Sequence, residues 1–234
     1  MDLVRHALES ARVELTASVV QHSFLKRCRQ GTIPMPVLKQ FLVQQGHYSR
    51  HFVRYLCALM SNLKSTDQIQ ALAENLFEEL GLTSDSPTPH SVIYKSMLER
   101  FDLSLETGPA PSPGTLALIG TMSDHCHNPN PAMGLGALCL GAEALVAPVY
   151  ADIMAGFASH GIGGQDMDFF RMHIECDDGH ADTLCDIMVL TAEQDLAQLD
   201  IMIAAGGALA RARMDFFSAI EAAHHQDKSV LDAA

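Results

Sequence analysis

The chain has 234 residues, with 15 Lys and Arg against 28 Asp and Glu, a net charge of −13, and 48 % hydrophobic, 18 % charged and 6 % aromatic residues without a Trp. That is enough apolar material for a full core in one domain spanning 1–234, and it excludes a disordered chain. The acidic excess repels a phosphate backbone and aromatic platforms for unstacked bases are scarce, which excludes nucleic acid as a partner.

Residues 1–15 intersperse Asp2, Arg5, Glu9, Arg12 and Glu14 among apolar positions. No secretory apolar core lies there, so a cytoplasmic location is expected. Six cysteines, at 28, 57, 126, 139, 176 and 185, form no Cys-x-x-Cys pair and read as reduced, mostly buried thiols. Gly and Pro gather at 31–36, 81–89, 108–114, 128–131 and 161–164. Between these loops the periodicity predicts helices over 2–30, 36–63, 66–80, 88–102, 114–127, 131–159, 164–190 and 192–226, with no strand run and a polar tail, 224–234, that frays. The fold class is therefore all-α. Ser65 with Gln68, and Thr191 with Gln194, fit capping boxes, and Pro87 fits the first position of a helix.

In chain order, the first chemical signal is at 75–90. Glu79 lies one turn after Asn75 on the same helix face, so the amide can steady the carboxylate. Glu78 reads as solvated charge, and His90 follows a Gly- and Pro-containing loop. The second signal is the run PAMGLGALCLGAEALVAPV at 131–149, in which Glu143 is the sole charged residue. A buried ionised carboxylate must be paired with a cation or bound to metal, or else be protonated. The run is near the minimum length for a membrane span, but its many small residues and the acidic chain around it argue against a membrane.

The third signal is FFRMHIECDDGH. At about 100° per residue, His173, Asp177 and His180 share one helix face, whereas Glu175 and Asp178 turn away and give a solvated acidic side. Imidazole with carboxylate is a ligand set for iron, manganese or zinc. Glu79, His90, Glu143, His173, Asp177 and His180 together exceed what one ion with an open position needs, and two divalent ions against three carboxylates form a nearly neutral cluster. The ferritin-like pattern is absent, because the sole Glu-x-x-His is Glu221 with His224 near the C-terminus. A haem on His22 or His47 would leave the carboxylates unexplained, and no thiolate set calls for an iron–sulfur cluster.

In these residues the sequence resembles the haem-oxygenase-like di-iron oxidases and oxygenases, an all-α family sharing its fold with haem oxygenase, thiaminase II and pyrroloquinoline-quinone synthase. HSFLKRCRQG at 22–31 and LKQFLVQQGHYSRHFVRYL at 38–56 resemble the first two long helices. The specific part is Glu79 in NLFEELG, His90, Glu143 in GAEALVAPVY, and His173, Asp177 and His180 in FFRMHIECDDGH. The resemblance implies a compact bundle of about seven to eight helices, in a homodimer. It implies two irons held by those six side chains, as Fe2+ in the O2-reactive state, with O2 as co-substrate and an external electron donor. The implied substrate is a small amino-acid-derived or other carboxylate compound of a biosynthetic pathway, changed by N-oxygenation, oxidative C–C cleavage, desaturation or decarboxylation. The para-aminobenzoate synthases of this family use a Tyr and a Lys where Leu25 and Ile153 stand here, which argues against that subclass.

Beside such a site, the Gly and Ala around Glu143 either leave room for O2 and substrate or let helices pack closely. His47, Tyr48 and His51 are candidate substrate contacts, and Lys39, Arg50, Arg54, Lys95 and Arg171 are cations suited to a substrate carboxylate. Two readings compete with this one. One is a metal-independent thiaminase-like hydrolase with Cys139 as nucleophile, although no activating base is evident. The other is a non-enzymatic iron-binding or interaction protein whose metal is structural.

Overall fold

Apolar residues at three- and four-residue intervals put the chain into helices α1 (Asp2–Val19), α2 (Ser23–Arg29), α3 (Met35–Ser49), α4 (Phe52–Asn62), α5 (Thr66–Glu79) and α6 (His90–Arg100). These are followed by α7 (Pro113–Cys126), α8 (Pro131–Leu138), α9 (Ala144–Ala158), α10 (Asp168–Gln194) and α11 (Ala197–Leu231). The computed structural model describes residues 2–231, with the side chains of 3–174 and 179–224. Among the described residues there is no strand, and the all-α class expected from periodicity holds.

Several boundaries differ from expectation for local reasons. The stretch 2–30 breaks at 20–22, where His22 Nδ1 accepts from Phe24 N–H at 3.1 Å and caps α2, and the stretch 36–63 breaks at His51. Helix α6 starts at His90 rather than at Pro87. A helix through Pro87 would force Thr88, the residue before Pro89, into the α region that the next proline ring disfavours. Ser65 does precede α5, but its side chain makes no cap bond. Thr191 is no cap at all, because it sits inside α10 and its hydroxyl donates to Ile187 O at 2.8 Å, the i−4 bond open to a helical Thr. The break falls at Asp195, whose carboxylate accepts from Ala197 N–H at 3.1 Å. Helix α11 continues to Leu231, and residues 232–234 of the expected fraying tail lie outside the described residues.

Helices α8 and α9 form one rod joined by a π-helical turn, Cys139–Glu143, and Pro148 lies inside α9. A π turn admits one extra residue and re-aims the side chains around it. Pro148 has no N–H for the carbonyl of Ala144, so this rod is irregular next to Glu143. Pro131–Ala158 is long and apolar enough to cross a membrane, yet 72 % of its most apolar window is buried inside the protein, which accounts for its composition. Leu25 and Ile153 are both fully buried core residues. Of the described cysteines, all free, Cys28, Cys126 and Cys139 are buried, Cys185 is half-buried and Cys57 is exposed; Cys176 lies outside the described side chains.

Helix α11 lies against α8 and α7, while α10 lies along α9. An aromatic core ties the ends of the chain together: Phe24 stacks on Phe217 at 5.0 Å, and Phe41 meets Phe216 edge-on at 6.2 Å. Glycines set the approach of α8 to α11. A Cβ on Gly136 would overlap the carbonyl oxygen of Met202, and one on Gly141 would lie 2.9 Å from Gly206 O. Here the small residues serve close helix packing.

Gly136→Ala should therefore lower the thermal midpoint by roughly 5–10 °C, since backbone cannot yield as a side chain tip can. Gly120→Ala in α7, where an added Cβ meets nothing within 4 Å, should leave the midpoint unchanged or slightly higher. Circular dichroism melts compare the two; equal midpoints would refute the close approach.

Candidate functional site

Helix α5 ends at Glu79 in a Schellman turn, with Gly81 N–H donating to Glu78 O at 2.9 Å and Leu82 N–H to Phe77 O at 2.8 Å. Gly81 has φ +70°, and a Cβ there would lie 2.5 Å from Pro89 N. Glycine is thus the condition for the loop to fold back and set His90, the first residue of α6, beside Glu79.

Glu79 Oε1 and His90 Nδ1 are 3.0 Å apart. The contact is not a regular hydrogen bond, and His90 Nδ1, although buried, has no neighbour but this carboxylate to pair with. Its other ring nitrogen, Nε2, lies 3.3 Å from Ser86 Oγ, an arrangement that leaves a lone pair on Nδ1 when Nε2 carries the proton. His173 Nδ1 faces Phe169 O at 2.8 Å, which fixes the tautomer with Nε2 as acceptor. One ligand atom each from Glu79, His90 and His173 lies within 4.8 Å of the others, close to the span of two ligands across one ion, about 4 Å. All three are buried. Asn75 is buried one turn before Glu79, and its Nδ2 likewise has no partner.

The charges agree with a site made for a cation. Burial works to raise the Glu79 carboxyl, but the His90 imidazole 3.0 Å from it outweighs this and holds it below the ordinary range. Burial pushes His173 down to about 4, so the ring is neutral and can donate its lone pair. Burial pushes Glu143 up to about 7, with His180, His90 and the more distant Arg213 acting against this and Glu79 adding to it. Among the described residues no Lys or Arg lies within 4.0 Å of Glu143, in contrast to Asp152 on the same rod, which Arg29 answers at 2.6 Å.

Of the six expected ligands, Glu79, His90 and His173 converge, and Glu143 lines the same cavity. His180 is outside this triad; its Nε2 is 2.7 Å from Glu78 Oε2. Glu78 is thus not simple solvated charge, because α5 ends against α10 and its carboxylate meets a buried ring there. Asp177 lies outside the described side chains, as do Glu175 and Asp178.

The cavity has a volume of about 310 Å³, and Phe52, Val53, Leu145, Val146 and Val149 supply apolar wall. Of the three candidate substrate contacts, Tyr48 lines it. His47 faces the 108–114 loop instead, with Nε2 2.9 Å from Pro109 O, and the His51 ring packs 6.2 Å from Tyr55. Among the expected cations Arg50 and Arg54 reach the cavity; Lys39 donates to Phe101 O, Arg171 pairs with Asp168, and Lys95 lines a neighbouring cleft. Arg213 of α11 was not expected there. Its flanks in RARMD read as surface, yet it lies on the stripe of Leu209, Phe216, Phe217 and Ile220, the one signal that could have located it. Cys139 does not line the cavity; its Sγ is 3.6 Å from Ala181 O, and burial pushes the thiol far up, so no thiolate is available.

Comparison with known proteins agrees with this architecture. The profile of a family described as iron-containing redox enzymes matches residues 39–215. No curated protein matches the chain. Among solved structures, a domain of unknown function with a haem oxygenase-like fold from Shewanella denitrificans superposes with a TM-score of 0.79 at 17 % identity, covering 95 % of this chain and 94 % of that one. A CADD-like protein of unknown function from Nostoc punctiforme gives 0.77 at 17 % identity, covering 94 % and 97 %. A TenA homologue from Pseudomonas syringae gives 0.75 at 15 % identity, covering 90 % and 89 %. At these identities the likeness is one of fold, and it confirms the haem-oxygenase-like bundle.

The raised Glu143 carboxyl has a consequence for stability. Between its ordinary value of 4.5 and about 7 the folded chain holds this proton more tightly than the unfolded chain, so the contribution of Glu143 to stability falls as pH rises through that window. In EDTA-treated protein, the wild-type melting midpoint should drop relative to that of Glu143→Gln between about pH 5 and about pH 8. Parallel profiles would show that Glu143 titrates normally.

Proposed function

Because the chain belongs to the family of iron-containing redox enzymes, we propose that it is a non-haem di-iron oxidoreductase that uses O2 to oxidise a small amino-acid-derived or other carboxylate compound in the cytoplasm. The observation that carries this reading is the buried meeting of Glu79, His90 and His173, one ligand atom each within 4.8 Å of the others, around a His90 Nδ1 that has only the Glu79 carboxylate beside it. Buried polar atoms are nearly always paired, and this one faces a carboxylate and a neutral imidazole, a donor set that fits a first-row cation.

Glu79, His90 and His173 would hold one ion, and Glu143, His180 and Asp177 are the residues offered to a second. Bound ferrous iron supplies the electrons with which O2 is reduced. The protein's own part is to position and to exclude water. The Phe169 carbonyl fixes the His173 ring, Ser86 stands beside the outer nitrogen of His90, and Glu78 stands beside His180. The carboxyl of Glu143 gives up its proton as a cation binds, so ion uptake is pH-dependent. Apolar wall residues limit water at the site, and a water-poor cavity strengthens each charge interaction inside it. The thiaminase-like alternative finds no support in the geometry, since Cys139 faces the backbone of α10.

Anaerobic titration of EDTA-treated protein with Fe2+ should show uptake of two equivalents, and mixing with O2-saturated buffer should give an iron-dependent absorption change. His173→Ala should weaken iron binding by about 100-fold or more while far-ultraviolet circular dichroism stays as in wild type. Cys139→Ala should retain both iron uptake and oxygen reactivity. Failure of the wild-type protein to take up iron, or one equivalent with no oxygen response, would sink the di-iron reading.

A further inference from the structure

Arg213 is 6 % exposed and lines the cavity into which the Glu79, His90 and His173 side chains also face. Among the described residues, no carboxylate lies within 4.0 Å of its guanidinium, although Glu143 feels its charge; Nη1 makes a long hydrogen bond to Gln45 Oε1 at 3.4 Å, and Nε has no partner. The guanidinium carbon sits 4.9 Å from the centre of the Tyr48 ring, whose hydroxyl is buried beside it. Gln45 is held in turn, donating from Nε2 to Tyr150 Oη at 3.3 Å. Arginine does not shed its charge on burial, and a buried cation without an anion is costly. Elsewhere in this chain the same requirement is met, as where Arg29 engages both oxygens of Asp152 at 2.8 and 2.6 Å.

We propose that Arg213 and Tyr48 receive the carboxylate of the substrate, and that the wall of Phe52, Val53, Leu145, Val146 and Val149 receives an apolar body, so that the substrate is a carboxylic acid with a hydrocarbon or aromatic chain. This rests on reading the cavity as the substrate chamber of an oxidising iron centre. The guanidinium fork and the phenol hydroxyl supply donors to a planar monoanion. A phosphate dianion fits less well, since Glu79 and Glu143 line the same space. Exposed Arg50 and Arg54 also line the cavity and give it a positive rim, which favours the approach of an anion to a chain that is otherwise acidic. The charged head and the oxidised carbon are then separate parts of one molecule, and Arg213 selects the substrate by its head.

The test uses EDTA-treated full-length protein, so binding is read without iron and without turnover. Octanoate and 3-phenylpropanoate are titrated calorimetrically against their matched alcohols, octan-1-ol and 3-phenylpropan-1-ol. At least one acid should bind saturably and at least tenfold tighter than its alcohol. Arg213→Met should remove that preference by weakening the acid alone, and Arg213→Lys should restore part of it. The comparison of acid with alcohol in wild-type protein stands even if a variant misfolds, and circular dichroism checks each variant. Equal affinity for acid and alcohol, no binding of either acid, or a folded Arg213→Met that keeps the preference would each overturn the assignment. Iron uptake by the wild type is measured separately, so loss of the iron reading and loss of the anion anchor give different results.

Discussion

Glu79 and Glu143 are carboxylates held inside a helical core together with His90, His173 and His180, where water cannot solvate them. Such a group must be neutralised or matched, and the chain does neither fully with its own side chains. Glu79 is met by His90 Nδ1 at 3.0 Å without a regular hydrogen bond, and among the described residues Glu143 has no Lys or Arg within 4.0 Å. On the proposed reading, bound divalent cations would match both carboxylates. Asp152 is the contrast: it lies on the same helical rod, is equally enclosed, and is answered by Arg29.

The scaffold serves that cluster through backbone devices as much as through side chains. Gly81 takes a left-handed conformation and lets α5 end against Pro89, so two ligands eleven residues apart become neighbours. The π turn before Ala144 re-aims Glu143, and the close approach of α8 to α11 through Gly136, Gly141 and Gly206 sets the rod that carries it. The same approach sets α11, which brings Arg213 to the cavity, along the rod on which Leu145, Val146 and Val149 supply apolar wall. The candidate ligands Glu79, His90 and His173 and the buried Arg213 thus line one chamber, each contributed by a different helix.

How much of this was legible in the sequence depends on whether the information is local. Helix content follows from periodicity, because a buried stripe repeats every three to four residues within each element. Glu143 stood out because one charge in an apolar run is improbable without a reason, and His173 with His180 because helical spacing alone puts them on one face. Thr191 misled because Thr serves both as a cap and, inside a helix, as a donor to the preceding turn; the sequence pattern is the same in the two cases. Glu78 misled in the same manner and Arg213 went unremarked, since polar neighbours in sequence say nothing about which helix covers a residue.

The sequence by itself therefore determined the all-α class, the positions of the main loops and the residue types able to bind iron, since propensity, spacing and side-chain chemistry are properties of the local chain. Only the tertiary structure decided that Glu79, His90 and His173 meet, that His180 faces Glu78, that His47 turns to the Pro109 carbonyl while Tyr48 enters the cavity, and that Arg213 is buried without a carboxylate partner. Those outcomes depend on which helix faces cover one another. Contacts between residues more than a hundred positions apart, such as Glu78 with His180, are fixed by packing of the whole core and leave no mark in a local window.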